Sequence, residues 1–226
     1  MSDSAAAPLR FAINLGNAVL ATEDEQGKPN GITVALANKI ADSLGREPVF
    51  LTYPAAGKVV DDAGKDIWDI AFLAIDPKRE ALLRFTSPYI TIQGTLLVRA
   101  HSHWQSVQEM DKAGVVINVG KNAAYDLWLT RELRAATLIR HDSSQDAIEA
   151  FLHGAGEMTA GIRQPLEKTA REHPDFRVLP DNFTGIQQAI CVAKSDVRWF
   201  PALTTLLAQW QQEGVIDSLT EHALSQ

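Results

Sequence analysis

One arginine, Arg79, stands where an open α/β sheet would place an anion-binding group. It follows the apolar run at residues 70–74, which is typical of a buried parallel strand, and Asp76-Pro77, which signals a helix start. Ligands of such sheets bind at the carboxyl ends of the strands, and a guanidinium there can hold a carboxylate with two parallel hydrogen bonds. We therefore predict that Arg79 binds a ligand carboxylate. The alternative is a surface arginine paired with Glu80 or Asp76.

Composition narrows the class of protein. Of the 226 residues, 46% are hydrophobic and 22% are charged, as is ordinary for a globular protein. The length fits one large domain or two lobes of about 100 residues each. A net charge of −7 argues against a nucleic-acid partner, whose phosphates require a basic face. No apolar segment approaches the length of a membrane span, so no membrane insertion is expected.

The predicted strands alternate with helices. Strands are predicted at residues 9–13, 49–51, 70–74, 91–98, 115–119, 137–139, 159–162, 176–179 and 187–193, after a loose tail before Leu9. Helices are predicted at 34–44, 57–63, 123–133, 145–152, 165–172, 199–212 and 215–224. This alternation favours a mostly parallel α/β sheet. Two such series joined by two long extended segments predict two lobes, one of residues 1–92 plus 190–226 and one of residues 93–189.

The segment at residues 68–89, WDIAFLAIDPKREALLRFTSPY, resembles a signature of the solute-binding proteins of amino-acid ABC transporters, the bacterial extracellular solute-binding protein family 3. The resemblance extends from Leu9 to about Leu224. It implies a two-lobed type 2 periplasmic-binding fold with two hinge strands, in which each lobe is a mostly parallel sheet flanked by helices. It also implies that Arg79 and the backbone N–H of Ala74 hold the carboxylate of a small ligand, without a cofactor, and that an ABC transporter permease receives it. We expect a monomer.

The resemblance assigns the second half of the site to a helix start in the second lobe, at Lys121, Asn122 and Ala123. A helix start offers unpaired N–H donors and a partial positive charge, and Lys121 would strengthen the preference for an anion. The alternatives are a solvated surface lysine at 121 and a plain N-cap at Asn122.

Arg163 and Gln164, after a later strand, depart from the family's pattern. Gln164 falls where the family has the aspartate that binds a ligand's ammonium group. Glutamine cannot supply that charge, and Arg163, unless it points outward, makes the place more positive. A carboxylate without an amine, or a ligand with two anionic groups, therefore remains as open as an amino acid.

Four more first-lobe residues are candidate ligand contacts, namely Asn14, Asn17, Tyr53 and Phe72. The two asparagines lie where the family often has an aspartate and an aromatic residue, and Ala55 occupies the usual position of a second aromatic residue. A pocket with asparagines and little aromatic stacking indicates a polar ligand. Tyr53 and Phe72 are equally compatible with the hydrophobic core.

Two other functions stay open at this point. Some proteins resembling this family are dehydratases of cyclic carboxylates, for which Asp126 and Glu157 are the nearest candidate acids, although both suit the surface. A cytoplasmic ligand sensor with the same fold is the other alternative. The residues MSDSAAAPLR carry no signal-peptide pattern, whereas the resemblance implies a periplasmic location.

Histidine and cysteine add no metal site to these predictions. The closest histidine pair, His101 and His103, lies in a polar turn, so no zinc ligation is expected. Cys191 is the one cysteine and lies in an apolar run, where a small core residue is expected.

Overall fold

Strands and helices alternate through residues 6–225, the part of the chain that this computed structural model describes. The strands are β1 (Leu9–Asn14), β2 (Thr22–Glu23), β3 (Pro29–Asn30), β4 (Pro48–Tyr53), β5 (Ile70–Ala74), β6 (Leu83–Arg99), β7 (Val116–Gly120), β8 (Thr137–His141), β9 (Met158–Ile162), β10 (Phe176–Val178) and β11 (Thr184–Ala193). The helices are α1 (Ile32–Ser43), α2 (Ala56–Asp61), α3 (Ala124–Glu132), α4 (Ser144–Leu152), α5 (Arg163–Glu172), α6 (Phe200–Gln212) and α7 (Val215–Leu224).

The main sheet has two parallel halves joined by antiparallel strands. Its order is β4-β1-β5-β11-β6-β9-β7-β8, and β10 pairs with β6. The β4, β1 and β5 strands run parallel in one half, and the β8, β7 and β9 strands run parallel in the other. The strand β6 pairs with β11 from Leu83 to Gly94 and with β9 from Gly94 to Val98. The α/β class and the two long connecting strands are therefore as predicted.

The middle of the sheet is built on buried apolar strand segments. Every residue of β5 is buried, as a strand covered on both faces requires. Cys191 on β11 is fully buried, which confirms its prediction as a core residue, and burial raises the pKa of its thiol to about 12. Helix α4 begins where the Ser143 side chain accepts the backbone N–H of Asp146, a typical N-cap bond.

Several element boundaries differ from the sequence predictions. The helix signalled by Asp76-Pro77 is a single 3₁₀ turn, Arg79–Ala81, because β6 begins at Leu83. The hairpin β2–β3 was not predicted, since two-residue strands leave almost no pattern. Helix α5 begins at Arg163, two residues before Pro165, where the sequence predicted its start. The predicted loose tail falls partly on residues 1–5, which lie outside the described residues.

Residues 6–225 contain neither a candidate membrane span nor a candidate metal cluster. None of the helices in this range combines the length and the apolar character that crossing a bilayer demands. Within the same range, no three His, Cys, Asp or Glu side chains form a group that could hold a metal ion.

Candidate ligand-binding cleft

A cavity of about 40 Å³ lies between the two halves of the sheet, at the carboxyl ends of strands from both. Its walls include the ends of β1 and β5 on one side and of β7 and β9 on the other. The polar residues that line it are Asn14, Asn17, Arg79, Gln188, Lys121, Tyr125, Ser143 and Ser144. Of the predicted site residues, Asn14, Asn17, Ala74, Arg79, Lys121 and Ala123 line this cavity.

Arg79 is a buried cation whose side chain has no carboxylate bound to it. The residue is 3% exposed, and its guanidinium donates to the backbone carbonyls of Ala74 (3.1 Å) and Asn122 (3.0 Å). Its Nε has no hydrogen-bond partner among the described residues. Burial lowers the pKa of Arg79 to about 10, although the charge of Asp76 acts in the opposite direction. A buried guanidinium with donors to spare is a strong site for an anion.

Asp76 does not neutralise Arg79 by direct contact, because its carboxylate is engaged elsewhere. The Oδ2 of Asp76 accepts from Nη1 of Arg131 at 2.6 Å, and its Oδ1 accepts the backbone N–H of Lys78. The pairing with Asp76 or Glu80 that was the alternative for Arg79 is therefore not the arrangement in this structure.

Three contacts cross between the halves beside the cavity. Arg79 donates to the carbonyl of Asn122, and Arg131 of α3 pairs with Asp76. Gly57 of α2 lies so close to Asn122 that a Cβ built on it would be 2.8 Å from the Asn122 Cβ. Asn122 has a left-handed backbone with φ of 60°, which asparagine tolerates better than most residues. These contacts belong to a closed arrangement of the cleft.

The second half presents three helix starts to the cavity. The N-cap residues of α3, α4 and α5, which are Ala123, Ser143 and Ile162, all line it. The hydroxyl of Tyr125 accepts the backbone N–H of Gly120 and hydrogen-bonds to Oγ of Ser144. Converging helix starts bring partial positive charge to one place, so this wall also favours an anion.

Two asparagines of the first half and a glutamine of the connecting strand β11 complete the polar wall. The Oδ1 of Asn14 accepts the backbone N–H of Gly16 at 2.8 Å, which shapes the loop after β1. Asn17 is buried, and its Oδ1 has no partner among the described residues. Gln188 is buried on β11, opposite Ala74 in the register of the sheet.

Two predicted first-half residues do not line the cavity. Phe72 is buried against Phe11, with ring centroids 6.2 Å apart, because side chains on a strand alternate between faces. Tyr53 donates its hydroxyl to Asp62 at 2.8 Å. Burial, together with this bond, raises the pKa of Tyr53 to about 12. Both side chains therefore pack within the first half instead of facing a ligand, which was the alternative interpretation of their sequence positions.

Arg163 and Gln164 also lie outside the cavity lining, in the first turn of α5. The guanidinium of Arg163 donates to the carbonyls of Leu179 and Asp181 and to Oδ1 of Asn182. It therefore holds the loop between β10 and β11, instead of adding charge to the cleft or pointing outward. The Oε1 of Gln164 is buried without a partner among the described residues.

Two of the three residues predicted at positions 121–123 line the cavity. Lys121 is exposed and lines the cavity at its mouth, while Ala123, not Asn122, is the N-cap of α3. The backbone N–H of Asn122 donates to Asp126, so Asn122 faces the other half through its carbonyl instead of lining the cavity.

Sequence reasoning missed Ser143, Ser144 and Gln188 as cavity residues. A signal existed for the serines, because a Ser-Ser pair between a strand and a helix is typical of an N-cap. Gln188 carried no such signal, since its position depends on how β11 pairs with β5.

The acids considered for an enzymatic function are both engaged outside the cavity. Asp126 is 1% exposed, against its prediction as a surface residue, because Arg140 and the backbone N–H of Asn122 bind its carboxylate. Glu157 accepts the backbone N–H of Val116 at 2.6 Å. Neither lines the cleft.

A two-lobed α/β fold with a buried guanidinium in its interlobe cleft defines a ligand-binding protein of the periplasmic-binding type. The family model described as bacterial extracellular solute-binding proteins, family 3, matches residues 9–226. The chain belongs to this family: it is a solute-binding protein. A small-molecule ligand follows from membership, and the family is by description extracellular.

Individual relatives agree with this assignment. The chain is similar to the amino-acid-binding protein AabA of Dichelobacter nodosus, with 22% identity over 203 residues, 88% of this chain and 80% of the relative. Its fold is similar to that of a mutant of ArgBP from T. maritima, with a TM-score of 0.83, 20% identity and coverage of 97% and 96%. It is also similar to that of AbpA, an amino acid ABC transporter substrate-binding protein from Streptococcus pneumoniae bound to L-arginine, with a TM-score of 0.82, 19% identity and coverage of 97% and 95%.

Proposed function

We propose that this protein captures a small carboxylate-bearing solute in the cleft, with Arg79 as the group that binds the carboxylate. The observation that carries the proposal is the buried guanidinium, which lines the cavity, contacts no carboxylate side chain and keeps Nε without a partner. A charged ligand that accepts from this side chain recovers the hydrogen bonds that burial has removed from water. The ligand is an amino acid or a related organic acid, the former by analogy with AabA and AbpA.

Both lobes contribute to the proposed site. Asn14, Asn17, Ala74 and Arg79 belong to the first lobe, while Lys121, Ala123 and the start of α4 belong to the second. The ligand joins the two sets and favours the closed arrangement by the contacts that it makes only there. Asn122 acts in closure, through its carbonyl and its approach to Gly57.

We propose lobe boundaries at residues 1–92 plus 190–226 and 93–189, with β6 and β11 as hinge strands. The change of partner of β6 at Gly94, from β11 to β9, supports this division. A hinge at such a point lets each half of the sheet keep its own pairing while the cleft opens.

We further propose that the protein works as a monomer in the periplasm and delivers its solute to an ABC transporter permease. The family description as extracellular and the transporter named for AbpA support the location and the partner.

Isothermal titration calorimetry with a panel of amino acids, hydroxy acids and dicarboxylates tests the site. The wild-type protein should bind at least one carboxylate, and Arg79→Ala should weaken that binding by about 100-fold or more. Arg84→Ala is the matched control, because Arg84 is exposed on the same segment and stacks on Phe200 away from the cavity. Equal affinity of wild type and Arg79→Ala would refute the assignment.

A further inference from the structure

We propose that the ligand of this cleft is a short carboxylate without an ammonium group, such as an acid with a hydroxyl in the place of the amine. This inference rests on the proposed function and specifies its ligand class. The charged side chains among the described residues that line the cavity are Arg79 and Lys121, both cations. No carboxylate side chain within residues 6–225 lines it.

The acids nearest the cavity are engaged or lie outside it. Asp76 pairs with Arg131, and Asp126 pairs with Arg140. Asp61 and Asp142 line a separate outer depression together with Lys58 and the exposed Lys121. None of these four carboxylates faces a ligand inside the cavity, so the charge of the described cavity wall is positive.

An ammonium group would be poorly accommodated in this environment. It would leave water beside a buried guanidinium and three helix starts, whose partial charges repel a cation. Amide oxygens can accept its hydrogen bonds, but they do not neutralise its charge. Desolvation of its ammonium group without a counter-charge would therefore weaken the binding of an amino acid, whereas a hydroxy acid has no such charge to desolvate.

The polar wall offers a neutral acceptor for a hydroxyl. The Oδ1 of Asn17 is buried and has no hydrogen-bond partner among the described residues, and the same is true of the Nε of Arg79. Both residues line the cavity. An acid with a carboxylate on one carbon and a hydroxyl on the next presents an acceptor to Arg79 and a neutral donor to Asn17. These two side chains, both more than nine-tenths buried, are the complementary pair.

The size of the cavity favours a short acid. One water molecule needs about 10–15 Å³ in the same measure, so a cavity of about 40 Å³ accepts only a few water-sized groups. Long side chains such as that of arginine exceed this space in the closed arrangement.

Matched ligand pairs test the inference by calorimetry on the full chain. L-lactate and L-alanine differ in a hydroxyl against an ammonium group, as do L-malate and L-aspartate. We expect the hydroxy acid of at least one pair to bind about tenfold or more tightly than its amino-acid partner. If these acids bound but neither pair showed this preference, the inference would be overturned and the proposed function would stand.

Two isosteric variants sharpen the test. Gln188→Glu adds one negative charge to the cavity wall, whereas Gln187→Glu adds the same charge at the neighbouring, exposed position. Gln188→Glu should narrow or reverse the preference for the hydroxy acid, and Gln187→Glu should leave it unchanged. A preference that Gln188→Glu does not move, with folding verified by its thermal melt, would count against electrostatic exclusion of the amine. Absence of binding by all four acids, and by the wider carboxylate panel, would overturn the proposed function as well.

Discussion

Two arginines flank the strands of the first lobe and show opposite electrostatic designs. Arg10, near the start of β1, donates from Nε and Nη2 to Asp69 and from Nη2 to Asp66. Arg79, beyond the end of β5, donates only to backbone carbonyls. The hydrogen bonds that Arg10 donates to Asp69 and Asp66 raise the pKa of Arg10, whereas burial lowers the pKa of Arg79 to about 10. The first arrangement stabilises the fold, and the second keeps a cation available to a ligand.

The largest expected effect comes from exchanging each of the two arginines for methionine. Arg79→Met should weaken ligand binding by about 100-fold or more without lowering the free energy of unfolding, because it removes an uncompensated buried charge. Arg10→Met should leave affinity unchanged and lower that free energy by about 1–3 kcal/mol, since the nearly buried Asp69 loses its main partner. Calorimetry and urea denaturation measure the two quantities. A loss of affinity in Arg10→Met would break the comparison.

Closure of the cleft over Arg79 gives the next effect. Gly57→Ala places a Cβ 2.8 Å from the Asn122 Cβ, closer than two side-chain carbons approach, so the closed arrangement must shift. We expect affinity to fall by about tenfold, while the ligand-free melting temperature does not fall because alanine suits helix α2 better than glycine. Gly185→Ala is the control, since its nearest contact is an ordinary 3.4 Å. Unchanged affinity in Gly57→Ala would argue that these two halves do not approach each other in the bound state.

The ion pair between Arg131 and Asp76 gives a smaller effect on the same closure. The Arg131 side chain is partly exposed, so solvent screens the pair. Arg131→Gln should weaken ligand binding by about two- to fivefold and increase the dissociation rate. Stopped-flow kinetics with a bound carboxylate measures that rate. A variant with wild-type dissociation would show that the pair is present without contributing to closure.

The smallest effect concerns pH and belongs to Arg10. Burial alone would raise the pKa of Asp69, but the bonds from Arg10 outweigh it and leave the pKa below its usual value. The stabilisation by this pair is therefore complete above the unfolded-state pKa and is lost as pH falls through the lower folded-state pKa. Urea denaturation between pH 5 and 2 should show a shallower loss of stability in Arg10→Met than in wild type. Parallel pH profiles would contradict this.

Much of the fold was predictable from the sequence because its elements leave local patterns. The wholly apolar β5 and the Asp76-Pro77 boundary placed Arg79 correctly at the end of a strand. The position of Gln188 could not be predicted, because it depends on β11 pairing with a strand more than a hundred residues earlier. The same holds for Arg163, whose carbonyl partners lie on a loop that has no sequence pattern of its own. Local chemistry identified candidate side chains, and long-range pairing decided which of them face the cleft.

The place of β11 in the sheet has a consequence for biosynthesis. One edge of β5 pairs with β1, but its other edge pairs with residues 188–191, which leave the ribosome more than a hundred residues after β5. Until then the nascent chain keeps an apolar strand with an open edge, the kind of surface that chaperones shield from aggregation. The first lobe therefore cannot be completed before residues 184–193 have been made, and a chain stopped before residue 184 would fold poorly and be a target for proteolysis.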